Sequence, residues 1–214
     1  MKSRRQFVKN TAAGVGVLSL STLLHANDVT GNNGKKKIVC LGGHPDDPES
    51  GCGGTLAKMI KKGHAVTIIY LKTGEAGVKG KSHEEAAAIR KQEALNACAI
   101  LSAKPVFAGQ IDGDTVVDNA WLNKIVKLLS DENPDVVLTH WPIDSHKDHQ
   151  VASLLTTQAW VKTQKKFALY FFEVCAGEQS LGFHPTDYVD ITDTQGVKKT
   201  SNLLSSKSRP CWYL

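Results

Sequence analysis

His44-Pro45-Asp46-Asp47 and His146-Lys147-Asp148-His149 concentrate the side chains of this 214-residue chain that can bind a metal ion and move protons. A catalytic zinc ion takes three protein ligands, commonly His with Asp, and leaves one position for water. His44 and Asp47 stand three residues apart across a turn stiffened by Pro45, so both side chains can converge on one ion, with His149 as the third ligand. Neighbouring side chains diverge, which leaves the Asp46 carboxylate free to face the water as a general base. His146 reaches the same pocket from a helix start, to offer an imidazolium to a developing oxyanion or a proton to a leaving group. Asp148 is expected to hold the His146 imidazole, since such carboxylates fix the tautomer of a histidine and raise its basicity.

Each residue alone has an ordinary explanation: Asp46 as a turn cap, Asp148 as an acid favoured at a helix N-terminus, His146 as a solvated loop residue. Their concentration in two four-residue windows, each at the exit of an apolar run, argues for one site. Those runs, 37–41 and 135–140, read as buried strands, and active sites of open α/β sheets collect where such strands end. Further strands are expected at 65–71, 105–108 and 167–174, and helices at 55–62, 82–101, 119–130 and 148–161. Ser82 and Glu85 form the capping box of the longest helix. Strands alternating with helices of this length imply right-handed βαβ units, hence a Rossmann-like three-layer α/β/α sandwich with a mostly parallel sheet. Gly51-Cys52-Gly53-Gly54 lacks the G-x-G-x-x-G spacing because Leu56 stands at the last position; these glycines read as a tight turn behind the metal loop.

With these residues in place, the chain resembles the PIG-L/LmbE family of zinc-dependent N-acetylglucosaminyl deacetylases over roughly residues 36–192. The family's A-H-P-D-D-E and H-x-D-H motifs are seen here as Gly43-His44-Pro45-Asp46-Asp47 and His146-Lys147-Asp148-His149. The resemblance implies metal ligation by His44, Asp47 and His149, one zinc ion per chain, Asp46 as base, and His146 paired with Asp148 as electrostatic catalyst. It also implies an arginine that contacts substrate, carried here to Arg90, whose plainer role is a helix-surface ion pair with Glu85 or Glu93. Three departures stand out: Pro48 replaces the motif's glutamate, with Glu49 one place late; Ser206 stands where a histidine is frequent; and the C-terminus, ending at Leu214, is expected to be truncated or altered.

The N-terminus carries Ser3-Arg4-Arg5-Gln6-Phe7-Val8-Lys9 before a modestly apolar stretch, which resembles a twin-arginine export signal over residues 1–26, with cleavage after Ala26. A linker over 27–36 and a deacetylase-like domain over 37–214 follow, and the mature protein is expected in the periplasm or outside the cell. Removing residues 1–26 takes away Lys2, Arg4, Arg5 and Lys9 and no acid, which lowers the formal charge by four, from +5 to +1. A near-neutral domain offers no electrostatic case for nucleic acid or an anionic membrane. The apolar stretch is also shorter than the roughly 20 residues that a membrane span needs. Five cysteines without C-x-x-C spacing exclude a zinc knuckle or redox pair of that type.

The expected reaction is hydrolysis of an N-acetyl amide on an N-acetylglucosamine-like sugar or glycoconjugate. Two rivals stand beside it: a catalytically silent carbohydrate-binding protein of the same fold, and an iron(II) oxygenase built on two His and one carboxylate. Pocket walls are expected from the loops at 75–81 and 110–117, where Asp112 and Asp114 either meet sugar hydroxyls or shape a turn.

Overall fold

The computed structural model describes residues 34–174 and 177–208. The expected export signal, most of the expected linker and the chain end therefore lie outside the described residues. Five strands, β1 (Lys37–Gly42), β2 (Ala65–Lys72), β3 (Lys104–Gln110), β4 (Val136–His140) and β5 (Ala168–Phe172), form one sheet in the order β3-β2-β1-β4-β5, every pairing parallel. Among the described residues five helices, α1 (Asp47–Lys61), α2 (His83–Leu101), α3 (Asn119–Glu132), α4 (Lys147–Lys162) and α5 (Gln195–Ser205), cover it. Helices α3 and α4 pack on one face, and α1, α2 and α5 on the other. Residues Lys35–Phe183 and the stretch from Ile191 form one compact unit that holds all these elements; Gly34 and His184–Asp190 belong to a second. No helix among the described residues is long and apolar enough to cross a membrane.

The period-2 pattern of the strands explains the two layers. Val39 and Leu41 of β1 and Ile69 and Leu71 of β2 join Ile125 and Leu129 of α3 and Leu155 of α4 in one core cluster. The alternate residues point the other way: Cys40 meets Cys52 of α1, and Tyr70 meets Cys98 of α2. The chain winds outward from central β1 through β2 to β3, then crosses back to β4 on the other side of β1. That reversal between β1 and β4 is the topological switch point, where side chains from both crossovers meet in one crevice.

The capping box appears as expected: Glu85 N donates to Ser82 Oγ at 3.2 Å and Ser82 N to Glu85 Oε2 at 3.0 Å. Helix α1 differs from expectation, because it starts at Asp47 and runs straight through Gly51 to Gly54. These glycines make room instead of a turn: a Cβ at Gly51 would lie 2.5 Å from the Phe172 ring, and one at Gly54 2.6 Å from Ile191 Cδ1. The helix α5 has a polar sequence whose buried residues are Ser201 and Ser205, so no apolar stripe announced it.

Candidate metal centre

The loop between β1 and α1 is tied down at every residue that carries chemistry. Gly43 N donates to His140 Nε2 at 3.0 Å, and His44 N to Asp47 Oδ2 at 2.7 Å. Asp46, at the N-cap of α1, has φ +97°, in the left-handed region that costs a non-glycine residue about 1–3 kcal/mol. Its backbone N donates to Glu49 Oε2 at 3.2 Å, and Glu49 Oε1 accepts from the Tyr70 hydroxyl at 2.5 Å. The late glutamate of the motif is thus a fully buried brace under the loop, and burial pushes its carboxyl up to about 7.

Three donor atoms converge in front of this brace. Asp47 Oδ2 lies 3.1 Å from His44 Nδ1 and 3.3 Å from His149 Nε2, and all three residues are buried. Ligands about 2.0–2.2 Å from one tetrahedral ion stand roughly 3.3 Å apart, so the donor set and these two separations suit a divalent ion such as zinc. The outer nitrogen of each imidazole meets a carboxylate: His149 Nδ1 lies 3.1 Å from Asp144 Oδ2, and His44 Nε2 3.1 Å from Asp148 Oδ2 and 3.4 Å from Asp112 Oδ1. Such partners fix the tautomer that points a lone pair at a metal. Burial disfavours charge on every member, yet Asp47 and the Asp144 bond raise His149 to about 9, while His149, His140 and His44 hold Asp47 well below the usual carboxylate range.

Four residues of this cluster were not foreseen as site residues. His140, the last residue of β4, stacks on His149 with ring centroids 4.1 Å apart and interplanar angle 8°. Burial lowers it to about 4, so it stays neutral and accepts the Gly43 N–H. Lys72, the last residue of β2, is fully buried with its ammonium on Asp148 and 3.5 Å from Asp112 Oδ1. Thr115 donates to Asp148 Oδ1, and Asp144 receives the His146 N–H at 2.7 Å as well as meeting His149. A charged or imidazole residue closing an apolar strand at its carboxyl end was the available signal for His140 and Lys72. Asp112, left open between sugar contact and turn, faces His44 and Lys72 and accepts from Ala76 N at 3.1 Å.

His146 stacks against His149, with centroids 4.6 Å apart, and its side chain is 38 % exposed, so it borders the pocket as expected. Its expected bond to the Asp148 carboxylate is not formed. The nearest approach is 3.8 Å, because Lys72, Thr115 and His44 already occupy that carboxylate; the Asp148 backbone N–H reaches His146 Nδ1 instead, at 3.3 Å. Burial, then the neighbouring His44 and His149, lower His146 and favour its neutral form. Arg90 has no exposed surface, and its guanidinium contacts Pro45 O, Asp46, Glu93 and Ser205 O.

The family described as GlcNAc-PI de-N-acetylase, PIG-L, matches residues 39–160. Diacetylchitobiose deacetylase of Thermococcus kodakarensis is 31 % identical over 182 residues, covering 78 % of this chain and 67 % of that protein. The N,N'-diacetylchitobiose deacetylase of Pyrococcus horikoshii superposes with a TM-score of 0.70 at 22 % identity, over 98 % of this chain and 81 % of that one. GalB, a 4-carboxy-2-hydroxymuconate hydratase of Pseudomonas putida, reaches 0.72 at 24 % identity, over 79 % and 78 %, so the fold itself is shared by another chemistry. The match over residues 39–160 and the 31 % identity to the diacetylchitobiose deacetylase together make this chain a member of the PIG-L GlcNAc-PI de-N-acetylase family.

Proposed function

We propose that the chain is a zinc-dependent N-deacetylase that hydrolyses the acetamide of an N-acetylglucosamine-like sugar or glycoconjugate. The observation that carries this reading is the convergence of His44 Nδ1, Asp47 Oδ2 and His149 Nε2, backed by Asp112, Asp144 and Asp148, at the switch point of the sheet. A divalent ion held by those atoms would supply a water acidified to a pKa of about 7 and a Lewis acid for the amide carbonyl.

The remaining chemistry belongs to the chain. Of the three carboxylates at the start of α1, Asp47 is 9 % exposed, Glu49 is fully buried, and Asp46 keeps 21 % of its side chain open. Asp46 is therefore the group that takes the proton of the attacking water. His146 Nδ1 accepts the Asp148 N–H, which leaves its proton on Nε2. That N–H donates to the carbonyl oxygen as negative charge gathers there. Asp46 then returns its proton to the nitrogen as the C–N bond breaks, giving acetic acid and a free amine, which share the second water proton as acetate and ammonium. Water supplies the oxygen of the acetate and the hydrogen of the amine, so no other reactant is needed.

Acetate released from N,N'-diacetylchitobiose by the zinc-loaded chain, and lost in Asp46→Asn, supports this reading. Sugar binding without turnover in both proteins supports the carbohydrate-binding alternative. From residues 1–26 we further propose export of the mature chain to the periplasm or outside the cell. Substituting Arg4 and Arg5 by Lys should leave unprocessed precursor inside the cell, and unchanged export would refute it.

A further inference from the structure

We propose that Arg90 and Glu93 of α2 are a positioning pair that sets the Asp46 carboxylate, and that the carboxyl end of α5 completes this device. The inference rests on Asp46 being the base. Asp46 sits in a backbone conformation that its side chain does not favour, with φ +97°, so something must hold it there. Arg90 is placed to do so. One guanidinium nitrogen, Nη2, donates to Pro45 O and, at 2.9 Å, to Asp46 Oδ2. The other, Nη1, donates to Glu93 Oε2 at 2.8 Å and to Ser205 O at 2.5 Å.

One branch of the planar fork thus holds two anchors in the metal loop, and the other holds two in the scaffold. Glu93 extends the scaffold: its Oε1 accepts Ser208 N at 2.7 Å and its Oε2 accepts Ser208 Oγ at 2.9 Å. Gly74 closes the other side, since a Cβ there would meet Arg90 Nε at 3.1 Å. With no exposed surface, Arg90 acts on the base and not on the sugar. Lysine keeps the charge but offers one nitrogen where the fork offers two, so it restores the device only in part.

The test compares Arg90→Gln, Arg90→Lys and Glu93→Gln in the full zinc-loaded chain, with N,N'-diacetylchitobiose as probe, by kcat, KM, zinc affinity and a crystal structure of Arg90→Gln. The expected result is a kcat loss of about 10–100-fold in Arg90→Gln, with KM and zinc Kd within about twofold. Arg90→Lys should recover part of that loss, and Glu93→Gln should lose kcat in the same pattern. A tenfold rise in KM with kcat intact would assign Arg90 to the substrate and overturn the proposal, as would Arg90→Lys equalling the native chain. If Arg90→Gln does not fold, Glu93→Gln and Arg90→Lys carry the same kinetic comparison. If the native chain releases no acetate, the deacetylase reading fails separately. Positioning is then decided by the crystal structures of whichever variants fold: Asp46 leaving the positive-φ region upholds it, and an unmoved Asp46 overturns it.

Discussion

Replacing Lys72 by Met isolates what holds the carboxylates behind His44. Lys72 is fully buried, its ammonium contacts Asp148, and the Asp148 side chain is 3 % exposed. Methionine matches the aliphatic stem, so packing changes little, while Asp148 and Asp112 lose their cation. Removing one partner of a buried pair costs about 3–5 kcal/mol, because the remaining charge stays out of water. Asp148 keeps Thr115 and His44 as donors, which places the expected loss at the lower end, about 3 kcal/mol. Urea unfolding of the metal-free protein reads this directly. The double variant Lys72→Met/Asp148→Asn removes both charges, and its cost should fall at least about 1 kcal/mol short of the sum of the single costs. A loss under about 1 kcal/mol for Lys72→Met, or strictly additive single effects, would show that the pair is not coupled and refute the reasoning.

Glu49 makes stability depend on pH in a known direction. Its carboxyl is raised from 4.5 to about 7 by burial, so the folded state favours the neutral acid, and the advantage present below 4.5 is lost as pH rises through about 7. At about 1.4 kcal/mol per pH unit the loss amounts to about 3 kcal/mol, and Glu49→Gln should escape it; equal urea midpoint differences between the two proteins at pH 5 and pH 8 would count against this. Gly51→Ala should destabilise the fold by about 1–3 kcal/mol in spite of alanine's better helix propensity, because Phe172 is itself packed on His140, 4.8 Å away; a melting temperature at or above native would contradict the close approach. Zinc at 100 times its Kd should stabilise the protein by about 2.7 kcal/mol, an effect reversed by chelator and absent in His149→Ala, as measured by denaturant titration.

The candidate site was legible in the sequence wherever one short stretch carried its residues. His44 and Asp47 are three residues apart, His146 and His149 likewise, and both windows follow strands whose apolar runs are plain. Partners brought together by topology were not visible in that way. Lys72 meets Asp148 only because β2 and the start of α4 both lie at the carboxyl edge of the sheet, and Asp112 meets His44 because the loop after β3 returns across it. The Asp148 carboxylate lies nearer His44 than His146 for this reason: spacing within the motif favours His146, at 3.8 Å, while three more distant residues reach its oxygens. The glycines of α1 were misread because glycine serves close packing as well as turns, and the difference lies in Phe172 and Ile191, far along the chain.

The central claim is that His44, Asp47 and His149 hold a hydrolytic ion whose water is deprotonated by Asp46. Its most direct test is one measurement: acetate released per bound zinc by native protein and by Asp46→Asn, with N,N'-diacetylchitobiose as substrate. The account predicts one zinc per chain in both proteins, turnover in the native chain, and a kcat lower by about 10²–10⁴-fold in the variant. Undiminished turnover in Asp46→Asn, or a native chain that binds zinc at these residues and releases no acetate, would contradict it.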